Sequence, residues 1–274
     1  QAQKLKEEYI KQEKKMDMMM ELRRLKELRQ VEEIEKVKKE VEKIINQGHP
    51  WIFKSHLSSA AEVFNTGDCL ALVNASNEVI GYGFFEKDSL ISIRVIKLGK
   101  TPPDADWFKN KLKKILLKRE NIKKFTEGYR AVHGENDGFP GIVFDVYGKT
   151  GVLQTYVPSV DPLGRYLANV LRKELHLESV LWKAPSRRKK EGGTRILFGK
   201  EPKLSFIREG KLKVAVDVGE GQKSGTFLDL RGLRKFISLQ NLKGKRVLNL
   251  FSYTGTLGLA AEIAGASEIW NVDI

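Results

Sequence analysis

The sequence predicts a multi-domain α/β protein, and three observations carry that prediction. Residues 1–47 contain neither Gly nor Pro and are dense in Lys, Glu, Leu and Met, the composition of a long helix. Between Ala61 and Leu98, short apolar runs alternate with clusters of Asn, Gly, Asp and Ser, the pattern of consecutive strands. The stretch Lys245–Ile274 reads KRVLNLFSYTGTLGLAAEIAGASEIWNVDI: an apolar strand, a glycine-bearing turn, a helix and a second strand ending on Asp273.

Taken in order, Leu22, Leu25, Leu28, Val31, Ile34, Val37, Val41 and Ile44 recur every three or four positions. This predicts one amphipathic helix over residues 1–47, with a break near Met16–Met20 as a variant. The spacing holds no strict heptad, so a coiled coil, and with it a homodimer, stays open. A charge-balanced helix of this kind is expected as a solvated arm or packing strut, with a clamp on RNA or a partner as the alternative. Gly48-His49-Pro50 ends it. Residues 48–100 then form a β-rich module with strands expected at Ala61–Phe64, Cys69–Asn74, Val79–Phe85 and Ile91–Leu98, and with Trp51 and Phe53 in its core. Thr101-Pro102-Pro103 closes it as a linker.

Residues 101–205 read as a central α/β domain. A basic helix is expected over Asp106–Asn121, followed by strands Ala131–His133, Gly141–Tyr147 and Gly151–Val157, helix Asp161–Glu174 and strand Ser179–Lys183. The connection GENDGFPG packs Gly, Pro and Asn-Asp into one short run and reads as a tight turn, so Glu135 and Asp137 are turn residues before they are an acid–base pair. Residues 206–274 begin with strand Leu212–Asp217, pass through GEGQKSGTFLDLRGLRKFI, and finish in the terminal strand–turn–helix–strand.

Charge bears on partners. The net charge is +14, and only 13 of the 49 basic and 11 of the 35 acidic side chains fall in residues 1–48, so the remainder carries +12. A basic excess on the folded part suits a polyanion such as RNA; a lysine-rich solubilising surface is the alternative. Arg187, Arg188, Lys189 and Lys190 form a basic loop beside Gly192-Gly193, either simply solvated or bound to RNA phosphate. One cysteine and four scattered histidines give no metal-ligand spacing, and a single Cys69 favours a reducing compartment, hence the cytoplasm. No run reaches the ~18 consecutive apolar residues of a membrane span, and no membrane association is expected.

The terminal turn points to a nucleoside cofactor. A dinucleotide fold uses a close G-x-G-x-x-G to cradle a pyrophosphate. Here only Gly255 and Gly258 are present, with hydroxyls at Ser252, Thr254 and Thr256 and a ring at Tyr253. That pattern favours S-adenosylmethionine (SAM), which has no phosphate, over NAD. Asn249, Ser252 and Thr254 have a plainer role available, capping the helix start. Asp273 follows an apolar strand where a ribose diol would satisfy its carboxylate, a solvent-facing strand end being the plainer alternative. In the preceding loop Asp229 is expected to cap the next helix or hold Arg231.

Four segments in order carry a family resemblance: Gly48–Phe53, Val132–Gly141, Gly221–Arg231 and Leu250–Gly255. Together they resemble the PUA-domain-containing class I SAM-dependent methyltransferases of bacteria, whose best-understood members form 5-methylcytosine in large-subunit ribosomal RNA. The resemblance covers about residues 47–274. It implies a PUA-like RNA-binding barrel, a central α/β domain and the start of a Rossmann-like methyltransferase fold. It further implies that Gln222, Lys223, Phe227, Asp229 and Arg231, with Asn249, Phe251, Ser252, Tyr253, Thr254 and Gly255, border the SAM pocket, and that Asp273 takes the ribose hydroxyls. Ser224 stands where Thr is common in the family. The family's acid-Pro-Pro-type motif and attacking cysteine would fall after Ile274, and Cys69 does not match that nucleophile. A C-terminally truncated, catalytically silent chain with negligible SAM affinity is therefore expected. A non-catalytic RNA-binding adaptor is the rival reading.

Overall fold

A computed structural model describes residues 34–36, 39–57, 63–185, 188, 193–200, 204–221 and 224–274. The chain falls into two compact units. One comprises the chain up to Lys113 with Gly134–Ile142 and Tyr156–Leu167; the other comprises Lys114–His133, Val143–Thr155 and Ala168–Ile274.

The first unit is built on a five-stranded sheet. Its elements are β1 (Ile34–Lys36), α1 (Lys39–Asn46), β2 (Trp51–Phe53), β3 (Cys69–Val73), β4 (Val79–Phe85) and β5 (Ile91–Leu98), with strand order β1-β3-β4-β5-β2. β3, β4 and β5 are antiparallel neighbours rich in β-branched and aromatic residues, as a sheet with both faces covered requires. β1 runs parallel to β3, with Ile34 opposite Ala71. This corrects the expected continuous helix over residues 1–47. Ile34–Lys36 finds backbone partners on β3, and that tertiary pairing outweighs local helix propensity. Helix begins only at Lys39; the part of the expected helix before Ile34 lies outside the described residues. Val41 and Ile45, one helical turn apart, enter the core beside Ile52, Leu70, Leu72, Phe85 and Ile93.

Strands Val79–Phe85 and Ile91–Leu98 fall where the sequence places them. Ala61 and Glu62 of the expected first strand lie outside the described residues, and Phe64 is a buried core residue set edge-on to Phe85 at 5.6 Å. β2 was not anticipated. Trp51 is half-buried and its indole N–H donates to Glu135 Oε1 at 3.2 Å. The same oxygen accepts the Gly141 N–H, so Glu135 organises the GENDGFPG turn, whose Gly134–Asp137 segment is one 3-10 turn.

The expected helix over Asp106–Asn121 is two helices, α2 (Ala105–Leu117) and α3 (Glu120–Phe125). Between them Arg119 turns its guanidinium onto the Arg130 carbonyl at 3.0 Å. The second sheet contains β6 (Gly128–His133), β7 (Ile142–Tyr147), β8 (Thr150–Thr155), β9 (Ser179–Lys183) and β10 (Thr194–Phe198), in the order β10-β9-β8-β7-β6. β8 and β9 are parallel, joined through α4 (Asp161–Glu174), which has the bounds the periodicity predicts. A hairpin of β11 (Ser205–Glu209) and β12 (Leu212–Val216) follows, its alternate residues buried. Ile207, Leu212, Val214 and Val216 share a core with Tyr147, Val152, Leu181 and Ala260. After α5 (Arg231–Ser238) come β13 (Arg246–Leu250), α6 (Thr256–Ile263) and β14 (Glu268–Val272), a parallel βαβ unit with Asn249 opposite Asn271.

Candidate functional site

The site lies in the second unit, where β13 passes into α6. The chain turns there through left-handed backbone at Phe251 (φ +54°), Tyr253 (φ +49°) and Gly255 (φ +71°). Two of these are bulky L-residues, for which that region is sterically costly, and such strain concentrates at ligand sites. The turn is held at several points. Ser252 N–H donates to the Val272 carbonyl at 3.1 Å, and Gly255 N–H donates to the Ser252 carbonyl at 2.8 Å. Tyr253 N–H donates to Asp273 Oδ2 at 2.5 Å, which draws the carboxylate toward the turn.

Gly258 packs α6 against β14. A Cβ there would overlap the Asn271 side-chain amide, whose oxygen already accepts from Asn249 Nδ2 at 2.9 Å. Asn249 therefore braces β14; it does not cap the helix. Gly255 occupies the N-cap position, and no side chain caps α6, so Ser252 and Thr254 do not fill the capping role that the sequence offered them. The amides of the first helical turn are left for another acceptor.

A second segment, Ser224–Leu230, adjoins the turn. Tyr253 OH donates to the Gly225 carbonyl at 3.3 Å, and its ring meets Phe227 edge-on at 5.4 Å. Behind it lies a buried network that sequence reading missed. Asp145 is fully buried and receives both Nε and Nη2 of Arg130, at 2.7 and 2.9 Å. Ser224 Oγ donates to Asp145 Oδ2 at 2.5 Å and is 2.8 Å from Tyr147 OH. Burial, with the Asp145 charge beside it, raises the Tyr147 pKa, so this phenol stays protonated. On the upstream side Lys183 donates to the Val218 and Gly221 carbonyls, and Thr194 Oγ1 donates to the Gly219 carbonyl at 3.0 Å. Asp217 Oδ1 accepts from the amides of Gly219 and Glu220, an Asx turn. None of Asp145, Tyr147, Lys183 or Thr194 stands in a recognisable motif. The one signal was Asp145 itself, a charge inside the apolar strand IVFDVY.

Several expected residues are elsewhere or otherwise engaged. Arg231 Nη2 donates to the Gly128 carbonyl at 2.7 Å, and its Nε lies 3.5 Å from Glu209, so the guanidinium anchors the start of α5. Asp229 is exposed, and α5 starts with Leu230 at its N-cap and no side-chain cap, so Asp229 does not cap it. Arg188 does not belong to a solvated loop surface. It is buried, donates to Thr155 O and Oγ1 at 3.1 Å, and lies over Trp182. Gln222, Lys223, Arg187, Lys189 and Lys190 lie outside the described residues. Cys69 sits on β3 in the first unit, and burial pushes its thiol up to about 12, which keeps it from being a thiolate.

The donor set suits an adenosine. Each Asp273 oxygen accepts one backbone N–H, from Tyr253 and from Ile274, leaving lone pairs for a diol. The Phe251 ring, directly after β13, is 84% exposed, and Phe227 and Tyr253 offer further apolar surface. Free helical amides complete it.

Comparison with known proteins places this turn in a segment of methyltransferase sequence. Residues 36–97 match the family described as PUA-like domain, and residues 185–274 match S-adenosylmethionine-dependent methyltransferase. A protein named Ribosomal RNA large subunit methyltransferase I from Shewanella amazonensis is 34% identical over 241 residues, covering 85% of this chain and 61% of that protein. Its namesake from Pseudoalteromonas atlantica is 31% identical over 240 residues, covering 85% and 60%. The chain thus spans about three fifths of the length of the curated relatives it matches. Among solved structures, a Streptococcus mutans chain described as a SAM-dependent methyltransferase superposes with a TM-score of 0.73 at 24% identity, covering 88% of this chain and 63% of that one. A methyltransferase complexed with SAH gives 0.74 at 24% identity, covering 88% and 62%. The chain therefore joins a PUA-like segment to a segment of SAM-dependent methyltransferase sequence.

Proposed function

We propose that this protein is a SAM-dependent RNA methyltransferase and that the β13–α6 turn is the adenosine end of its cofactor site. The observation that carries the reading is the Asp273 carboxylate drawn onto the Tyr253 amide, beside helical amides that no side chain caps. Asp273 holds the ribose hydroxyls, Phe251, Tyr253 and Phe227 flank the base, and Ser252, Thr254 and Gly255 present backbone and hydroxyl groups. Asn249 keeps β14, and so Asp273, in register. Gln222, Lys223 and Asp229 are proposed as further cofactor contacts, while Arg231 acts by anchoring the start of α5. SAM supplies an electrophilic methyl on a sulfonium.

The acceptor we propose is cytosine C5 in large-subunit ribosomal RNA: the names the relatives carry and the PUA-like segment support the RNA, and the family resemblance of the sequence supports the cytosine. That chemistry needs a thiolate to add to the ring at C6. Cys69, held protonated in the first unit, is not that group. The four-part division at residues 47/48, 100/101 and 205/206, and a cytoplasmic location, belong to the same proposal.

Ultraviolet crosslinking of the native gene product to radiolabelled SAM and, separately, NAD tests the cofactor. Selective SAM labelling that falls away in Asp273→Asn and Tyr253→Ala is expected; equal labelling by NAD, or labelling indifferent to both changes, would overturn the site. Nucleoside mass spectrometry of ribosomal RNA from cells lacking the gene tests the acceptor, with loss of 5-methylcytidine expected.

A further inference from the structure

The β11–β12 hairpin presents an outer face whose composition does not suit a merely solvated surface. Its inward residues are buried, and Phe206, Arg208, Lys213 and Ala215 face out. Arg208 stands directly opposite Lys213 in the antiparallel register. Like charges so placed are destabilising, so the pair costs the free protein stability that an anion would return. Beside them the Phe206 ring is 56% exposed, with Lys213 Nζ over it at 5.3 Å from the centroid.

Phe206 also lines a cleft of about 600 Å³ in the second unit, with no residue of the β13–α6 turn in its lining. That volume lies within the range of ligand sites, roughly 300–1,000 Å³. Exposed Lys149 and Lys200 line it together with buried Thr150, Ser179 and Ser205, whose hydroxyls brace the wall: Ser179 Oγ donates to the Lys200 carbonyl at 2.7 Å and Ser205 Oγ to Thr150 Oγ1 at 3.3 Å. Two carboxylates are present as well. Glu127 Oε2 already accepts the Arg208 N–H at 2.8 Å, whereas Glu178 is exposed on the lining. Cations for phosphate, an aromatic face for a base and an exposed carboxylate for an exocyclic amine are parts of a nucleotide subsite.

The geometry points to this cleft as a binding site for one unpaired nucleotide of single-stranded RNA, its base stacked on Phe206 and its phosphates met by Lys149, Lys200 and Lys213. A duplex would offer base edges and no free ring face, so the strand it takes is single. The inference rests on the RNA part of the proposed function and is independent of the cofactor turn.

Fluorescence anisotropy of the native gene product with a short fluorescein-labelled single-stranded RNA, over a salt series, tests it. Phe206→Ala is expected to weaken binding about ten-fold or more, with Phe206→Trp restoring it. The double change Lys149→Gln with Lys200→Gln is expected to lower affinity and shallow the log–log salt slope by about 1.4. Phe206 is a surface residue, and a thermal melt of each variant confirms that it folds. Tight RNA binding unaffected by Phe206→Ala overturns this site and leaves the proposed function standing. Equal competition by duplex RNA or by poly-glutamate also overturns it, the latter by marking a general anion surface or a protein partner. Failure of the native protein to bind RNA at all removes both this site and the RNA part of the proposed function.

Discussion

Glu209 lies buried between Arg234, which grips it through Nε and Nη2 at 2.6 and 2.9 Å, and Arg231. Arg234 also donates to the Phe227 carbonyl at 2.9 Å, so this ion cluster carries the loop that ends beside Tyr253. Removing the one anion leaves buried guanidinium groups uncompensated. Glu209→Gln should therefore destabilise the fold by about 3–5 kcal/mol in urea unfolding. Lys111 is the opposite case, a half-buried ammonium facing carbonyls and rings. Its Nζ donates to the Gly138 and Ile96 carbonyls at 2.5 and 3.4 Å and sits over Trp107 and Phe139. Desolvation lowers its pKa from 10.5 to about 8, against a smaller opposing pull from Asp137. The folded state thus gives up this proton before the unfolded chain does. The cost of the buried charge is fully present below pH 8 and lifts between pH 8 and 10.5, so stability relative to Lys111→Met should rise across that window. A difference that falls or stays level in paired denaturant titrations would contradict this.

At the scale of elements, α6 sits against β14 through glycine. Gly258→Ala should force the Asn249–Asn271 pair apart and cost about 1–3 kcal/mol, measurable by thermal melting. The Ser224–Leu230 segment answers to a different set of contacts. Tyr147 OH meets Ser224 Oγ and both the carbonyl and the N–H of Thr226, so Tyr147→Phe removes three of its ties while keeping the ring in the core. Amide exchange should then quicken in Gly225–Leu228 more than in β7 or β8; uniform quickening would show that the phenol serves only global stability. The sequence located α4, β4, β5 and β9 to the residue because each owes its form to its own periodicity. It missed β2, β10 and β11, short strands whose form comes from a neighbour they pair with. It also read helix through Ile34–Lys36, whose pattern fits both structures until β3 is placed alongside.

Across the whole chain, the β13–β14 pair stands out for what it exposes. Leu248, Leu250, Trp270 and Val272 are between 45% and 62% exposed. Apolar surface of this kind on strands with a free ladder invites hydrophobic probes and association. The chain should bind 8-anilinonaphthalene-1-sulfonate in its folded state, and Leu248→Lys with Trp270→Lys should abolish most of that fluorescence without lowering the melting temperature. Retained fluorescence would place the sticky surface elsewhere. Among the described residues no helix is long and apolar enough to cross a membrane.

Sequence alone determined the alternation of strand-rich and helical stretches, the tight turn at GENDGFPG, the glycine-bearing turn after β13 and the position of Asp273 at the end of the second strand. These follow from periodicity, turn chemistry and spacing, which act over a few residues. Tertiary structure decided which polar groups are engaged. It drew Arg188 and Arg231 inward, left Ser252 and Thr254 uncapping, and set Asp145, Ser224 and Tyr147 in one buried network. Such partners are up to 103 residues apart, and a buried charge takes whichever partner the fold brings to it.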